Sequence, residues 1–299
     1  MKNSAEGATT KVYRDYSQAD LDRAYNQNEW ADNAQEMFDR WALGGRACRT
    51  NNNNYTTQPY GDGPNEWLDV FHAGGKTVHF HIHGGAWRYQ SKDGCSFIAK
   101  AMQAIEVPFV VPDFGSLPQT RMPDVLKQIA SALIWTYETY VQTGKAERLV
   151  VSGHSSGAHM AALLASYDFG DALPLSCIRA IVCISGAYDL EPVLLSARRQ
   201  YIDLTQQEAN QLSPIARIDQ MNAPIHLFYG ENDSPEFKRQ SLEFAQALKL
   251  RKMLVACRLV AGRNHFEIAD DLGDLGSTVG AYISSLLTGP AKKDGALHV

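Results

Sequence analysis

The chain has 299 residues, a formal net charge of −5 and an isoelectric point near 6.0. A mildly acidic chain without an evident basic stripe gives no reason to expect nucleic acid or an anionic membrane as a partner. The polar first residues lack the apolar core of a secretory signal, and no apolar run reaches the roughly 18 residues that span a bilayer. We therefore expect a cytoplasmic protein whose partner is a small-molecule substrate.

The five cysteines give no sign of covalent cross-linking. They are odd in number, lie far apart and form no Cys-x-x-Cys pair. This pattern argues against a disulfide framework and against a structural zinc site. We predict neither a cofactor nor a metal. Because the length suffices for one large core, we predict that residues 1–299 form a single domain.

Residues 1–55 stand outside the regular pattern that follows. Ser17 and Asp20 could form a capping pair at the start of a helix, and Trp30, Met37 and Trp41 suggest a second, amphipathic helix. We interpret the segment as a helical cap over the carboxyl end of the sheet, with a simple packing element as the alternative. The asparagine run at 51–54 predicts a loop.

From residue 67 onward, strand-like and helix-like stretches alternate, as a mostly parallel sheet with helices on both faces requires. The predicted strands are Trp67–Phe71, Thr77–His83, Phe109–Pro112, Leu149–Ser152, Ile178–Ser185, Ile225–Tyr229 and Leu254–Val260. The predicted helices cover residues 95–105, 123–143, 235–249 and 278–286. In this interpretation the first two strands form a hairpin that turns at Gly74 and Gly75.

Residues 186–222 form the second region outside the alternation. They are rich in helix formers and lie between two predicted strands. We interpret them as a second helical cap element, again with simple packing as the alternative. The tail after Gly289 has the composition of a disordered segment.

A serine lies between two glycines directly after one of the apolar strands. Residues 153–157 read GHSSG, with Ser155 at the centre and a helix-like stretch beginning at Ala158. A strand-to-helix turn that presents a serine at its tip is too tight for side chains at the flanking positions. The pattern predicts that Ser155 is a nucleophile, whereas an ordinary Gly/Ser turn is the alternative when the motif is taken alone.

A nucleophilic serine needs a base to accept its proton and an acid to orient that base. In the α/β-hydrolase arrangement these partners follow in the order serine, acid, histidine, each at the carboxyl end of a strand. Asp233 comes just after the apolar run that ends at Tyr229, and His265 follows the run that ends at Val260. Both the order and the context predict a triad of Ser155, Asp233 and His265.

The oxyanion hole of such a site comes from a loop after an earlier strand. There the chain reads TVHFHIHGGAWRY, with two glycines after the strand. Glycines let the backbone turn its N–H groups toward a ligand, where they stabilise a developing negative charge. We predict Gly85 and Ala86 as donors, together with the N–H of Ser156.

Alternating histidines at positions 79, 81 and 83 also invite a metal hypothesis, because residues at period two share one face of a strand. No carboxylate or cysteine cluster accompanies them, and same-face neighbours lie about 6 to 7 Å apart. We therefore favour His83 as a hydrogen-bonding support of the oxyanion loop, and His79 and His81 as packing or surface residues. His159, one helical turn after Ser155, is interpreted as structural.

Four segments together resemble a known family. The segments are HGGAW, SGHSSGAHMAALL, ENDSPEFKRQSLEFA and NHFEI, and the resemblance covers residues from about 65 to 285. They are similar to the α/β-hydrolase type of kynurenine formamidase, also known as arylformamidase, and the resemblance implies the same triad roles. The neighbouring hormone-sensitive-lipase-like carboxylesterases usually have glycine where Ala86 stands and aspartate where His154 stands. Departures from the formamidase pattern are Ser156, Glu267, and the pair Phe114 and Gly115.

The resemblance implies a serine hydrolase that cleaves a small acyl or formyl amide through an acyl-enzyme, with an arylformamide such as N-formylkynurenine as substrate, in tryptophan catabolism. Trp87 and Tyr89 follow the oxyanion loop and Phe266 follows the base, so these aromatic residues could form a wall for an aryl group. We also place His154 at the substrate. Each of the three aromatic residues could instead belong to the core.

Two other functions use the same sequence features. A carboxylesterase would apply the same triad to short-chain or aryl esters. A non-catalytic binding protein on a hydrolase scaffold would need a decayed triad, whereas all three residues are present here. The chain could form a homodimer, although no sequence pattern indicates its oligomeric state.

Overall fold

The computed structural model describes residues 10–50 and 54–289, so the predictions for residues 51–53 and for the tail from 290 lie outside it. The strands are β1 Lys11–Tyr13, β2 Tyr16–Ser17, β3 Tyr55–Pro59, β4 Trp67–Phe71, β5 Thr77–Ile82, β6 Phe109–Pro112, β7 Arg148–His154, β8 Ile178–Ile184, β9 Ile225–Gly230 and β10 Leu254–Val260. The α-helices are α1 Gln18–Ala24, α2 Ala34–Thr50, α3 Lys92–Cys95, α4 Ala99–Ala104, α5 Met122–Thr136, α6 Ser156–Leu164, α7 Glu191–Leu195, α8 Gln206–Gln211, α9 Pro235–Leu250, α10 Glu267–Asp270 and α11 Thr278–Thr288. Short 3₁₀ helices cover Gln27–Trp30, Ser96–Ile98, Leu175–Cys177, Ala197–Gln200, Pro214–Gln220 and Asp271–Gly273, and a π-helical turn, Tyr137–Gln142, extends α5.

In the described residues, eight strands form the central sheet in the order β10-β9-β8-β7-β5-β6-β4-β3, and β1 and β2 form a separate ribbon. Strands β5 to β10 are mutually parallel, whereas β4 is antiparallel to both β6 and β3. The predicted mostly parallel sheet of an α/β-hydrolase is therefore confirmed. Its parallel strands all end at the same edge, which brings the segments that follow β5, β7, β9 and β10 together.

Helices cover both faces of the sheet. Along β7, Leu149 and Val151 belong to the apolar cluster under α5, α6 and α9, whereas Val150 belongs to the cluster under α4 and α11. Successive residues of a strand point to opposite faces, and here both faces are buried. This explains the continuous apolar runs of β6 and β7, whereas in β5 the buried residues His79 and His81 alternate with apolar ones.

The predicted hairpin of β4 and β5 is wrong, although both strands exist. Strand β6 lies between them, antiparallel to β4 and parallel to β5. Crossing one intervening strand requires about 9.6 Å in the plane of the sheet, which a five-residue linker of about 3.3 Å per residue can span. The turn signal at Gly74 and Gly75 therefore shows that the chain reverses, but not which strand becomes the neighbour.

The two regions outside the alternation are largely helical. A capping box starts α1, in which the Ser17 side chain and the Asp20 side chain each bond to the other residue's backbone N–H, as predicted. Strands β1, β2 and β3 were not predicted, and β3 begins at Tyr55, the last position of the predicted helical segment. Residues 186–222 contain α7, α8 and two 3₁₀ helices. Within the part of the chain that the structure describes, no helix combines the length and apolarity needed to cross a bilayer.

Candidate active site

Ser155 occupies the tight turn between β7 and α6. Its backbone angles are φ 55° and ψ −119°, a conformation that a residue with a side chain adopts only under constraint. A Cβ at Gly153 would lie 2.2 Å from the carbonyl oxygen of Gly157, and a Cβ at Gly157 would lie 2.1 Å from that of Ile82. Glycine is therefore required at both flanking positions of this turn, as in a nucleophile elbow.

Asp233 follows β9 and His265 follows β10, so both reach the edge of the sheet where Ser155 lies. The Nε2 atom of His265 is 2.9 Å from the Oγ atom of Ser155. Its Nδ1 atom is 2.7 Å from Oδ1 of Asp233. With the Nδ1 proton donated to the carboxylate, Nε2 is free to accept the proton of the serine hydroxyl.

The carboxylate of Asp233 is completely enclosed. Burial raises its pKa, but the charge of His265 and the hydrogen bonds that the carboxylate accepts outweigh this effect and hold the pKa below its ordinary value. The donors include the Ser185 hydroxyl at 2.5 Å and the Gly230 N–H at 3.2 Å from Oδ2. Sequence reasoning did not single out Ser185, although it directly follows β8 at the same edge of the sheet.

The loop after β5 brings backbone N–H groups close to the turn at Ser155. Gly85 and Ala86 have φ angles of 100° and 54°, and a Cβ on Gly84 would lie 3.4 Å from the Cβ of Ser155. The N–H groups of Gly85, Ala86 and Ser156 donate to no acceptor among residues 10–50 and 54–289. They are thus available to a ligand oxygen, as an oxyanion hole requires.

Three other histidines hold this part of the site. His83 Nδ1 donates to the Gly84 carbonyl oxygen at 2.9 Å, and its ring stacks on Phe114 at 4.1 Å. His154 Nε2 donates to the carbonyl oxygen of His265 at 2.8 Å, and burial lowers the pKa of His154 to about 3. His159 Nε2 donates to the Leu212 carbonyl oxygen at 2.7 Å. Neutral histidines therefore support the loops of the triad through hydrogen bonds.

His79 and His81 face inward rather than toward the surface. Both rings hydrogen-bond to the Ser152 hydroxyl, at 2.7 Å from His79 Nε2 and 2.8 Å from His81 Nδ1. Burial lowers the pKa of His79 to about 3. In the described ranges, no group of histidine, cysteine, aspartate and glutamate side chains has the arrangement of a metal site. The packing interpretation of these two histidines holds, and the surface alternative is wrong.

A cavity of about 980 Å³ opens over Ser155. Three predicted contact residues line it, namely Tyr89, His154 and Phe266. Trp87 does not, and its prediction as a cavity wall is wrong. Its indole is buried, and Nε1 donates to His159 Nδ1 at 3.1 Å. A buried indole needs a partner for its N–H, and His159 provides one inside the core.

Most of the remaining cavity wall comes from the N-terminal segment and from residues 186–222. These parts contribute Ala19, Asp22, Arg23, Tyr25, Asn26, Gln27, Asn28, Glu29, Phe38, Trp41, Ala42, Ala197, Arg198, Gln200 and Tyr201. Sequence reasoning named none of these residues as contacts, because no local motif marks side chains that only tertiary packing brings to the site.

The N-terminal segment also bonds directly to the loops that carry the acid and the base. Ser234 directly follows Asp233, and its Oγ donates to the Ala24 carbonyl oxygen at 2.7 Å. Asn33 accepts from Asn264 Nδ2 and donates to Glu267 Oε1, at 2.8 Å in each case. These two contacts lie on either side of His265. The segment therefore holds the loops of Asp233 and His265 in place.

Fold and site together define an α/β-hydrolase. The family model BD-FAE matches residues 72–248, which is more than half of the chain, so the chain belongs to the BD-FAE family. The kynurenine formamidase of Salmo salar is 26% identical over 278 residues, which cover 88% of this chain and 94% of that protein. This similarity confirms the resemblance to the kynurenine formamidases that the motifs indicated.

Solved structures support the same fold. A candidate thioesterase from a Silicibacter species has a TM-score of 0.80 at 22% identity, covering 90% of this chain and 99% of that chain. The hyperthermophilic esterase from the archaeon Pyrobaculum calidifontis has a TM-score of 0.65 at 17% identity, covering 85% of this chain and 93% of that chain. The curated relatives, which include kynurenine formamidases and an esterase, are hydrolases and support a hydrolase here as well.

Proposed function

We propose that this protein is a serine hydrolase that cleaves a small acyl or formyl amide, with an arylformamide such as N-formylkynurenine as substrate. One observation carries the proposal: two short hydrogen bonds link Asp233 through His265 to the hydroxyl of Ser155. The similarity to a kynurenine formamidase over 88% of the chain supports the substrate class.

The proposed reaction starts at Ser155. His265 accepts the proton of the Ser155 hydroxyl as the oxygen attacks the carbonyl carbon, and the free N–H groups of Gly85, Ala86 and Ser156 stabilise the negative charge on the former carbonyl oxygen. His265 then gives the proton to the departing amine, which leaves an acyl-enzyme. Water repeats the sequence, and formate or another small acid is released.

An aryl leaving group fits the chemistry and the cavity. An aniline departs more readily than an alkylamine because its nitrogen is the weaker base. The cavity offers aromatic surface close to the base: the ring of Phe266 lies 5.4 Å from that of His265 and 4.9 Å from that of Phe38. Rings at these separations favour edge-to-face packing with a further aromatic group.

The test is steady-state hydrolysis of N-formylkynurenine beside p-nitrophenyl acetate, with Ser155→Ala as the control on both. We expect the formamide to be turned over with the higher kcat/KM, and both activities to be lost in Ser155→Ala. Activity that persists without Ser155 would contradict the mechanism. A serine-directed phosphonate that fails to label the protein would instead favour a non-catalytic binding role.

A carboxylesterase is the second candidate, because the same residues could act on short-chain or aryl esters and the fold is shared with an esterase at a TM-score of 0.65. The ratio of amide to ester turnover on matched acyl groups separates the two functions. A strong preference for the ester would establish the carboxylesterase and leave the triad roles unchanged.

The proposal includes a role in tryptophan catabolism and a cytoplasmic location. The catabolic role rests on the substrate and is tested with it. The location is supported by the five cysteines, all of which have free thiols, as is typical of reducing compartments. Fractionation of the cells that express the protein would test the location.

A further inference from the structure

Three arginines line the cavity over Ser155 without a carboxylate partner among the described residues, namely Arg23, Arg88 and Arg198. Arg88 lies three residues after Gly85 in the oxyanion loop, and Arg198 lies in the 3₁₀ helix Ala197–Gln200; both line the cavity over Ser155. Neither forms an ion pair with any aspartate or glutamate of residues 10–50 and 54–289. Arg198 is half-buried, whereas Arg88 is exposed. A half-buried guanidinium is usually paired, so an unpaired Arg198 with a second cation on the same cavity wall points to an anionic ligand.

The acidic residues of the same cavity do not neutralise these arginines. Asp22 Oδ1 accepts from the Ala197 N–H at 2.6 Å and from Gln18 Nε2 at 3.0 Å. Glu29 is the other carboxylate on the wall, and its contact is with Asn26. The third cavity arginine, Arg23, is exposed like Arg88 and lies over the Trp30 ring at 4.8 Å, but it belongs to α1, whereas Arg88 belongs to the oxyanion loop.

Aromatic rings hold both guanidinium groups. Arg88 lies between the rings of Tyr89 and Tyr201, with Cζ 5.4 and 5.2 Å from their centroids. Arg198 Cζ lies 5.3 Å from the Tyr25 ring, and one of its nitrogens donates to the Tyr25 carbonyl oxygen at 2.7 Å. Stacking uses the faces of a guanidinium and leaves its N–H edge free, which is the edge that binds a carboxylate.

Arg198 is also close to the reacting groups. Its Cζ lies 6.0 Å from the centroid of the Phe237 ring, and the centroid of that ring lies 4.8 Å from the centroid of the His265 ring. The Phe237 ring therefore lies close to both the guanidinium and His265. A substrate whose carbonyl carbon is at Ser155 needs only a modest extension to reach the arginines.

We propose that Arg88 and Arg198 form a carboxylate site that selects substrates with an anionic leaving group. The inference rests on the proposed function, because a small acyl group has no room for a carboxylate and the anion must then belong to the leaving amine. A guanidinium pair preformed by aromatic stacking binds the carboxylate at little cost in side-chain entropy. The arginines thereby orient the leaving group while the triad cleaves the amide.

Equilibrium binding to the Ser155→Ala protein tests the carboxylate site without turnover. The two ligands are N-formylkynurenine and its carboxamide, which replaces the carboxylate by a neutral group and keeps the rest of the molecule. We expect the acid to bind roughly 10- to 100-fold more tightly than the carboxamide, as measured by titration calorimetry. Arg198→Gln and Arg88→Gln, each added to Ser155→Ala, should each reduce this ratio about tenfold.

Arg199→Gln is the matched control, because Arg199 is exposed, adjacent to Arg198 and absent from the cavity wall. It should leave the ratio of the two affinities unchanged. Arg198→Lys keeps the charge but not the planar edge, and we expect an intermediate ratio. Equal affinities for acid and carboxamide, no binding of either, or a loss in Arg198→Gln that is the same for both ligands would overturn the proposal.

The outcome separates this inference from the proposed function. If the acid binds through the arginines but the unmodified protein does not hydrolyse N-formylkynurenine, the carboxylate site stands and the formamidase proposal fails. If the protein hydrolyses N-formylkynurenine but binds acid and carboxamide equally, the formamidase proposal stands and the carboxylate site is wrong.

Discussion

At the scale of single residues, the environment of Asp233 determines what His265 can do. Ser185 and Gly230 donate to one carboxylate oxygen, and His265 donates to the other. These contacts hold the pKa of the buried carboxyl below its ordinary value, despite its burial, so the group is ionised when the site is at work. An ionised acceptor fixes the proton of His265 on Nδ1 and leaves Nε2 as the base.

Asp233→Asn should therefore abolish most of the activity without unfolding the protein. An amide in this position can donate to Nδ1 and favour the tautomer with the proton on Nε2, which cannot accept the serine proton. We expect kcat to fall by about 10⁴-fold with a nearly unchanged KM. Kinetics on any substrate that the protein cleaves would measure this, with the melting temperature as control. A variant that keeps most of the wild-type kcat would show that Asp233 does not orient the base.

Trp87 provides a test of a side chain that the structure places in the core. Trp87→Phe removes the 3.1 Å hydrogen bond to His159 and leaves a small cavity, so the free energy of unfolding should fall by about 1 to 3 kcal/mol. KM should not change, because the indole does not line the cavity. Urea unfolding and steady-state kinetics measure the two effects. The control is Tyr89→Phe, at an exposed position on the wall, which should leave stability unchanged. A raised KM with unchanged stability would instead show that Trp87 contacts the substrate.

At the scale of elements, the segment that contains α1 and α2 acts as a clamp on the loops after β9 and β10. Besides the contacts of Ala24 and Asn33, Trp41 Nε1 donates to Asp270 Oδ1 at 3.0 Å. Tyr25, just after α1, is bonded by Gln240 Nε2 at 2.7 Å, which ties the segment to α9 as well. The acid and base positions thus depend on a segment that contains neither residue.

Asn33→Ala should misplace His265 rather than remove it. The change leaves Asn264 and Glu267 without their partner across the interface, and a displacement of the base of less than 1 Å is enough to cost activity. We expect kcat to fall about tenfold or more, with KM altered less, and the free energy of unfolding to fall by about 1 to 2 kcal/mol. Kinetics and urea unfolding of the same preparation measure both. Asp32→Ala is the neighbouring exposed control, and an equal effect in this variant would argue against a specific role of Asn33.

Sequence patterns predicted the individual strands better than they predicted which strands pair with each other. Every strand from β4 to β10 was identified, because each contains several apolar residues bounded by turn or polar residues. Most of these strands are buried on both faces, whereas β10 lies at the edge of the sheet and exposes Val255 and Leu259. The pairing of β4 was wrong because hydrogen-bond partners across a sheet depend on which strand is inserted later, and a turn at Gly74 is compatible with either arrangement. The short strand β3 has no apolar run and pairs through its backbone at the edge of the sheet.

At the scale of the whole molecule, the described core contains several neutral histidines. Burial lowers the pKa of His79 and His154 to about 3 and that of His159 to about 4, from an ordinary value of 6.5. In the unfolded chain these rings bind protons below about pH 6.5, whereas in the folded protein they remain neutral until about pH 4 or lower. Within this window the unfolded state binds more protons, so lowering the pH destabilises the fold.

The free energy of unfolding should therefore fall as the pH is lowered from 6.5 toward 4, with each buried histidine contributing about 1.4 kcal/mol per pH unit in the middle of the window. Urea unfolding at pH 7, 6 and 5 measures the slope. His159→Gln should lower the stability at pH 7 because the hydrogen bonds of His159 are lost. It should also reduce the pH dependence of the free energy of unfolding by about 1.4 kcal/mol per pH unit, which is the contribution of one proton. A slope that is the same in the variant and the wild type would show that His159 titrates equally in both states.

The grouping of Ser155, Asp233 and His265 could be predicted from the sequence because each follows a strand, and the carboxyl ends of parallel strands meet at one edge of the sheet. The wall of the cavity could not, because Arg198 and Asn33 reach the site only when remote segments pack against the sheet. No local spacing records such contacts. Trp87 shows the opposite error, since its position after the oxyanion glycines suggested a contact that the φ angles of the loop, 54° at Ala86 and 58° at Trp87, do not produce.

The N-terminal segment is synthesised before the loops that it contacts. Ala24 and Ser234 are 210 positions apart in the chain, and Asn33 and Asn264 are 231 positions apart. The ribosome releases this segment long before its binding partners exist, and contacts over such separations form late because of their loop-closure entropy. A nascent chain thus carries the serine of the elbow while its acid and base are still missing or unclamped. The contacts that hold the loops of Asp233 and His265 can therefore form only after residues 234 and 264 have left the ribosome.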